Sequence, residues 1–430
     1  MASSSLQAWW DCDKKDTLFV LVCTVICWTI VPTVGIAYSG YAWKRKSLAA
    51  ALPAVLTIAV CSIQWFVVGY SLAYGEGGGW FFGGCSNIFH RGVLTEPVGT
   101  IPATLFSEFQ LGFEATVCAI AVGGFCERGK LWPVVTFIAL WSTFISCPLA
   151  HIVWGGGVLG KGLGVLLDFA GGTPVHVCSG ATATAVSIYL SYPIFRSKKS
   201  AVRTPAHIRL HRPGNSFCQL IPLTIFWEPW MAFDAGTALA LNFQSTGRWS
   251  LDATLMGAIA GLVMITPSAG FNDMPTAFFF GIFGAVVCRQ ALRIKFIKFA
   301  CKWRWVDNGD TFATDCIGGV IATIITGLLV QKKVAAYGGM DVSGGVFFDG
   351  NIRKLWVQLV DVVIGFSWSF FESYAIVAFI DCVPGLEVLA VDKYFHEGLD
   401  FYETEESLSV LEHPEEIDYK PTDKGTITLD

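Results

Sequence analysis

Charge is what this sequence has least of. Only 15% of its 430 residues are Asp, Glu, Lys or Arg, against roughly 25% in an average soluble domain. With 53% hydrophobic residues and a mean hydropathy of +0.55, that shortage excludes an ordinary soluble enzyme. It also excludes a disordered chain, which is poor in apolar residues and rich in net charge. No Lys or Arg lies deep in an apolar run. A phosphate or carboxylate carrier would need such a residue, so an anion cargo gains no support. The 14 cysteines contain no CxxC pair and most sit in apolar runs. They read as small apolar packers rather than a zinc site or a disulfide framework. Cys12 and Cys85 alone are expected on one outside face, which makes them the candidate bridge. The start, residues 1–16, is polar and lacks a basic stretch followed by a short apolar core, so the first apolar run is expected to serve as its own insertion signal. No metal cluster, nucleophile–base pair or phosphate loop is recognisable. An enzyme, a cofactor and a nucleic-acid partner are therefore not expected.

What is there is apolar sequence in runs of about 18 to 27 residues, the length that crosses a bilayer core of ~30 Å. Ten such segments can be drawn: 17–39, 48–74, 101–126, 131–154, 175–194, 217–242, 251–271, 275–292, 312–330 and 355–380. Their length excludes membrane strands, and backbone groups in lipid must be satisfied internally, so each is expected to be a helix. The fold class is an all-α polytopic transmembrane bundle, residues 1–390, followed by an acidic C-terminal tail, residues 391–430. Lys44–Lys46, Arg128 with Lys130, and the six bases between Arg196 and Arg212 should face the cytoplasm, which places the N-terminus outside. A further basic block, Arg289 to Arg304, should face the same way. Three segments lie between the last two blocks, yet an even number of crossings is required. Either one segment does not cross or a crossing is missing. The tail holds twelve acidic and three basic residues. It reads as a cytoplasmic, partly disordered extension, regulatory or merely solubilising. Glycines within spans, as in Gly257-Ala-Ile-Ala-Gly261, read as close-packing positions.

Ionisable residues in or beside apolar runs are Glu108, Glu114, Asp168, His176, Glu228, Asp234, Asp315, Asp361 and Glu372. Such groups are costly in a membrane and mark pathways. An acidic interior favours a cation. The densest signal is Trp154-Gly-Gly-Gly, a short loop, then Asp168-Phe-Ala-Gly-Gly-Thr-Pro-Val-His176. A Trp face at an outer mouth attracts cations by about 0.5–2 kcal/mol. Taken singly, Trp154 could be an interfacial belt residue, Asp168 a helix cap and His176 a satisfied interior histidine. Together they point to a site.

These residues carry a resemblance. Ile30-Val-Pro-Thr-Val-Gly-Ile-Ala-Tyr-Ser-Gly40, Cys126-Glu-Arg128, Pro148-Leu-Ala-His-Ile-Val-Trp-Gly-Gly-Gly157, the Asp168 to Gly180 run and Met256-Gly-Ala-Ile-Ala-Gly-Leu-Val-Met-Ile-Thr-Pro267 resemble the ammonium transporter / methylammonium permease / Rhesus family. The fungal permeases are the most similar. The resemblance runs from about residue 16 to 400. It implies eleven helices per subunit, a trimer (homo- or hetero-) and one pore in each subunit, in a lipid bilayer that is expected to be the plasma membrane. It implies that Trp154, Phe113 and Thr237 form the ammonium recruitment site, that Asp168 supports it without touching the ion, and that Phe113 and Phe233 are a stacked gate. His176 would be the first of two pore histidines. The implied function is transport of ammonium as ammonia through a hydrophobic pore, after recruitment and deprotonation of the cation, with methylammonium as analogue. Aromatic faces bind the ion, neutral ammonia avoids the cost of a buried charge, and an imidazole relays the proton.

The chain departs from that pattern twice. Asp315, in Asp310-Thr-Phe-Ala-Thr-Asp315, occupies the place of the second pore histidine, and no histidine lies between His211 and His396. A neutral relay could there become a fixed ion pair of His176 and Asp315. The stretch from Ala238 to Met256 is also about one helix shorter than the family pattern, so about ten spans remain and the seventh family helix is expected to be lost. That accounts for the odd crossing count. The alternative function these departures suggest is a non-conducting ammonium sensor or regulatory subunit.

Overall fold

The computed structural model describes residues 12–94, 96–163, 166–191, 214–225, 251–297, 305, 307, 309–390 and 398–404. Asp13 starts α1 (Lys14–Tyr41) as its cap, its carboxylate accepting the amides of Lys15 at 2.7 Å and Asp16 at 3.0 Å. α2 (Ser47–Gln64) passes through a π-helical turn, Trp65–Gly69, into α3 (Tyr70–Tyr74). A minimal hairpin, β1 (Pro97–Val98) and β2 (Ile101–Pro102), leads to α4 (Ala103–Ala121). α5 (Leu131–Trp141) runs through the π turn Ser142–Ser146 into α6 (Cys147–Val153). Two more π turns, Gly172–Val177 and Phe312–Ile317, open α7 (Cys178–Ser191) and α11 (Gly318–Leu329). Between them lie α8 (Phe217–Ile225), α9 (Leu251–Ile265) and α10 (Met274–Ala291). Short α12 (Lys332–Tyr337) and α13 (Val346–Asp349) precede the long α14 (Ile352–Asp381), and α15 (Leu399–Thr404) ends the described chain.

The bundle is all-α, with helix at each of the ten expected segments. The sixth is described only over α8, and residues 226–250 lie outside the described residues. Seven helical runs among the described residues are long and apolar enough to cross a membrane. Their outer faces expose Leu18, Phe19, Val25, Ile63, Phe279 and Phe371, each more than 60% accessible. In water such a belt is a liability, whereas against acyl chains it is the expected surface. Most cysteines pack in the interior, with Cys61, Cys118, Cys147, Cys178 and Cys316 buried as read from the sequence. The proposed bridge is not there: Cys85 is an exposed thiol, and no disulfide joins it to Cys12.

The crossing count is resolved by direction. α1 ends at Tyr41, beside the basic loop Lys44–Lys46; that end of the bundle is called the basic end. α8 starts there, since the Asn215 amide donates to Gly40 O at 3.2 Å. α9 starts there too, since Tyr41 Oη lies 3.0 Å from Met256 Sδ. Ile225 and Thr266, nearer the other ends of these helices, both reach the central cavity. α8 and α9 therefore run in the same direction, and the stretch from Phe217 to Leu292 does not hold three alternating crossings.

The basic end is closed by polar contacts. Buried Arg128 donates to Ser187 Oγ at 3.0 Å and Ser191 Oγ at 3.2 Å on α7, and Glu127 accepts the Trp43 amide at 2.7 Å. The Cys126-Glu-Arg128 motif is thus a tie between loops. The tail returns to this end. Asp400 accepts the amides of Ala49 at 2.7 Å and Leu48 at 3.2 Å, at the start of α2, and Glu403 accepts the Leu131 amide at 2.8 Å, at the start of α5. These carboxylates satisfy helix-terminal amides that have no partner within their own helices. The acidic segment is in this part a docked helix; residues 391–397 and 405–430 lie outside the described residues.

Candidate functional site

The mouth of the site is built by the loop between α6 and α7. Asp168 is buried and accepts three amides, Gly171 and Gly172 at 2.7 Å and Thr173 at 2.8 Å. Gly171 has φ of +109°, a conformation open to glycine at little cost. It lets the chain turn so that successive amides point at one carboxylate. Asp168 is thus a cap, and that cap fixes the site, because its backbone carbonyl accepts Trp154 Nε1–H at 2.9 Å. The indole is held by that bond and meets the Phe113 ring edge to face, with centroids 6.3 Å apart at 76°. Phe113 also packs against Phe109 at 5.1 Å. Trp154, Phe113 and Asp168 lie together at this mouth. Thr237 and Phe233 lie outside the described residues.

Below Phe113 opens a cavity of about 300 Å³. Its walls are mostly apolar in surface, from Val34, Ile120, Val175, Ile259 and Leu262 among others; threonine and tyrosine hydroxyls line it too, and His176 and Asp315 are its ionisable groups. His176 Nδ1 lies 2.9 Å from Asp315 Oδ1, and Nε2 lies 3.1 Å from Thr266 Oγ1. Thr266 has one hydroxyl proton, and Leu262 O at 2.7 Å competes with the imidazole for it. Asp315 Oδ2 accepts from Thr314 Oγ1 at 2.9 Å. His176 and Asp315 are both buried. The side chain in the second histidine place is therefore in direct contact with the first, as an acid–base pair.

The backbone explains how two side chains 139 positions apart meet. Both sit in π-helical turns, which displace side chains from the regular helix and recur at functional sites. The two turns cross on glycines. A Cβ at Gly180 would lie 2.3 Å from Cys316 N, and one at Gly319 2.9 Å from His176 Cβ. Only hydrogen at these positions permits the approach.

Some contributors were not singled out in the sequence. Thr266 lies in the quoted Met256 to Pro267 run, but nothing in its spacing marks it as a partner of His176. Thr173 links Asp168 to a second buried carboxylate, donating from Oγ1 to Asp361 Oδ2 at 2.6 Å. Asp361 was noted only as an ionisable residue in a span. Gln358 ties the loop to α14, bonding Leu167 N at 3.1 Å and Leu167 O at 2.7 Å. These pairings join residues about 190 positions apart, which no local pattern reveals.

The chain is similar in sequence and fold to known proteins. Ammonium transporter 1 of Schizosaccharomyces pombe is 31% identical over 422 residues, covering 89% of this chain and 81% of the relative. The ammonium transporter of Bacillus subtilis is 30% identical, covering 90% of this chain and 96% of its own length. The crystal structure of Candida albicans Mep2 superposes with a TM-score of 0.79 at 30% identity, covering 89% of this chain and 88% of that one. The Ammonium Transporter Family model matches residues 18–246 and 238–407. The two stretches overlap over residues 238–246. The match takes in most of the chain, both π turns and the Trp154–Phe113 mouth, and the chain belongs to the Ammonium Transporter Family.

Proposed function

We propose that the chain moves ammonium across a membrane by recruiting the cation, removing a proton and passing ammonia. The observation that carries this is the continuity of three unlike environments: an indole–phenyl pair at the mouth, a mostly apolar cavity below it, and a hydrogen-bonded imidazole–carboxylate pair within that cavity. Trp154 and Phe113 offer ring faces to the cation. Asp168 contributes negative potential through the loop it caps, without touching the ion. Phe113 is the described half of the gate, and Thr237 and Phe233 would complete the recruitment site and the gate. An ion entering a mostly apolar cavity would lose its hydration at great cost, whereas ammonia loses far less. His176 accepts the proton at Nε2 and releases the proton on Nδ1 to Asp315 Oδ1, 2.9 Å away, which leaves the ring neutral. Potassium has no proton to surrender and is refused.

The basic end faces the cytoplasm, with the N-terminus outside and the tail inside, since loops rich in Lys and Arg remain on that side. The plasma membrane is the site that extracellular ammonium recruitment requires. The protein assembles as a trimer through outer helix faces. The transmembrane unit is residues 1–390 and the tail residues 391–430. The named relatives are transporters, which favours transport over a sensing role. The test is uptake of radiolabelled methylammonium in a cell that lacks its own ammonium transport. Uptake competed by ammonium and indifferent to potassium is expected. Uptake no greater than an empty vector, with the protein present at the membrane, overturns the proposal.

A further inference from the structure

Phe113 has a second side. Away from the central cavity it borders a small chamber of about 10 Å³, room for one water-sized guest. Trp154 and Val175 also separate the chamber from the recruitment site and the cavity. The remaining walls include Trp65, Tyr74, Gln110 and Glu114. Four aromatic residues and one carboxylate thus line a recess with room for about one water-sized guest.

Glu114 is 4% exposed. Its Oε2 accepts from Ser146 Oγ at 2.6 Å, and its Oε1 has no hydrogen-bond partner. A buried carboxylate oxygen without a donor is costly, and a buried carboxylate without a counter-charge costs more. No Lys or Arg lines the chamber. A guest that supplies both a positive charge and N–H donors resolves both deficits. Ring faces around a cation add to that attraction.

We propose that this chamber is a second binding site for ammonium, with Glu114 as its counter-ion, lying behind the gate residue and to one side of the transport path. The inference rests on the transport reading only in taking ammonium as the cation that reaches this depth. Size sets its selectivity. A recess for one water-sized guest accepts ammonium and refuses methylammonium, which carries one more heavy atom. The site therefore distinguishes two cations that the open mouth accepts alike. An ion paired with the Glu114 carboxylate beside the gate is retained rather than passed. The chamber acts as an occupancy sensor within a transporter.

The experiment is infrared difference spectroscopy on the full-length protein in lipid, with ammonium or methylammonium added, alongside Glu114→Gln, Ser146→Ala and Tyr74→Leu. Ammonium is expected to change one carboxyl band that methylammonium leaves unchanged and Glu114→Gln abolishes; this band, and not an Asp315 band that either cation can move on the transport path, is the signal scored. Ser146→Ala keeps the carboxylate but removes its one hydrogen bond. A shifted band that still responds to ammonium assigns the signal to Glu114 even if the glutamine variant does not fold. Tyr74→Leu opens the cage and should raise the ammonium concentration at half-change. A signal unmoved by ammonium, moved equally by methylammonium, or retained in Glu114→Gln overturns the proposal; the chamber then holds water only. Methylammonium uptake by the same protein is scored separately. Uptake without a band change removes this site and leaves transport standing, and a band change without uptake does the reverse.

Discussion

At the scale of single residues, the mouth depends on one indole. Trp154 is oriented by a bond to the Asp168 carbonyl and packs on Phe113. Trp154→Leu removes the ring quadrupole and the orienting bond. A loss of about 0.5–2 kcal/mol corresponds to roughly a 2- to 30-fold rise in the half-saturating ammonium concentration, measured as competition against methylammonium uptake. Unchanged competition would reduce Trp154 to an interfacial belt residue. The proton path depends on Asp315. Asp315→Leu leaves His176 Nδ1 facing an aliphatic chain and should cut uptake by at least about tenfold, equivalent to ~1.4 kcal/mol on the barrier. Asp315→Asn keeps the volume and a hydrogen bond to the ring without the charge. It should fall between Asp315→Leu and the parent. Equal rates in all three would remove the pair from the mechanism.

Much of this was legible in the sequence. Trp154, Asp168 and His176 stand within 23 residues of one another in a run whose glycines and proline mark a constrained loop. Phe113 and Asp315 could be placed only by resemblance, because nothing in their own neighbourhoods points to the pore. Thr266, Asp361 and Gln358 were not legible as partners. A threonine in an apolar helix usually bonds its own preceding turn, as Thr266 also does with Leu262, and only the crossing of separate helices brings it to an imidazole.

At the scale of elements, the two π turns and their glycine contact hold the pair together. Gly180→Val places branched carbon where Cys316 N already lies 2.3 Å from an added Cβ. Forcing α7 and α11 apart should cost about 1–3 kcal/mol or more and separate His176 from Asp315. A lowered melting temperature in detergent together with lost uptake is the expected result, and a variant with parental stability and uptake would show that the crossing yields freely. The helix spans were read well from length because each must satisfy its own backbone within lipid. Their interruptions were not, since a π turn leaves no mark in hydropathy. Composition also does not show what the described part of the tail does: in residues 398–404 two carboxylates cap helices. Asp400→Ala strands the amides of Leu48 and Ala49 and should cost about 0.5–2 kcal/mol, read as faster proteolysis of the tail at unchanged cell-surface level.

At the scale of the molecule, direction decides the topology. The odd count of apolar segments between the basic blocks conflicted with the charge rule, and hydropathy alone could not say which segment was at fault. The common starting end of α8 and α9 settles the conflict in favour of the charges. Cysteine labels introduced near Asn215 and near Arg293 should therefore react from the same side of sealed membranes. Reaction from opposite sides would require one of these helices to be reversed.

The docked tail also sets an order of events. Leu48 and Asp400 are 352 positions apart, so the amide at the start of α2 waits for its partner until nearly the whole chain has been made. At roughly 5–20 residues per second, that delay is about 20–70 seconds. A nascent chain cut short before Asp400 would leave the starts of α2 and α5 without these carboxylates. Docking of α15 thereby joins early and late parts of the chain into one cooperative unit.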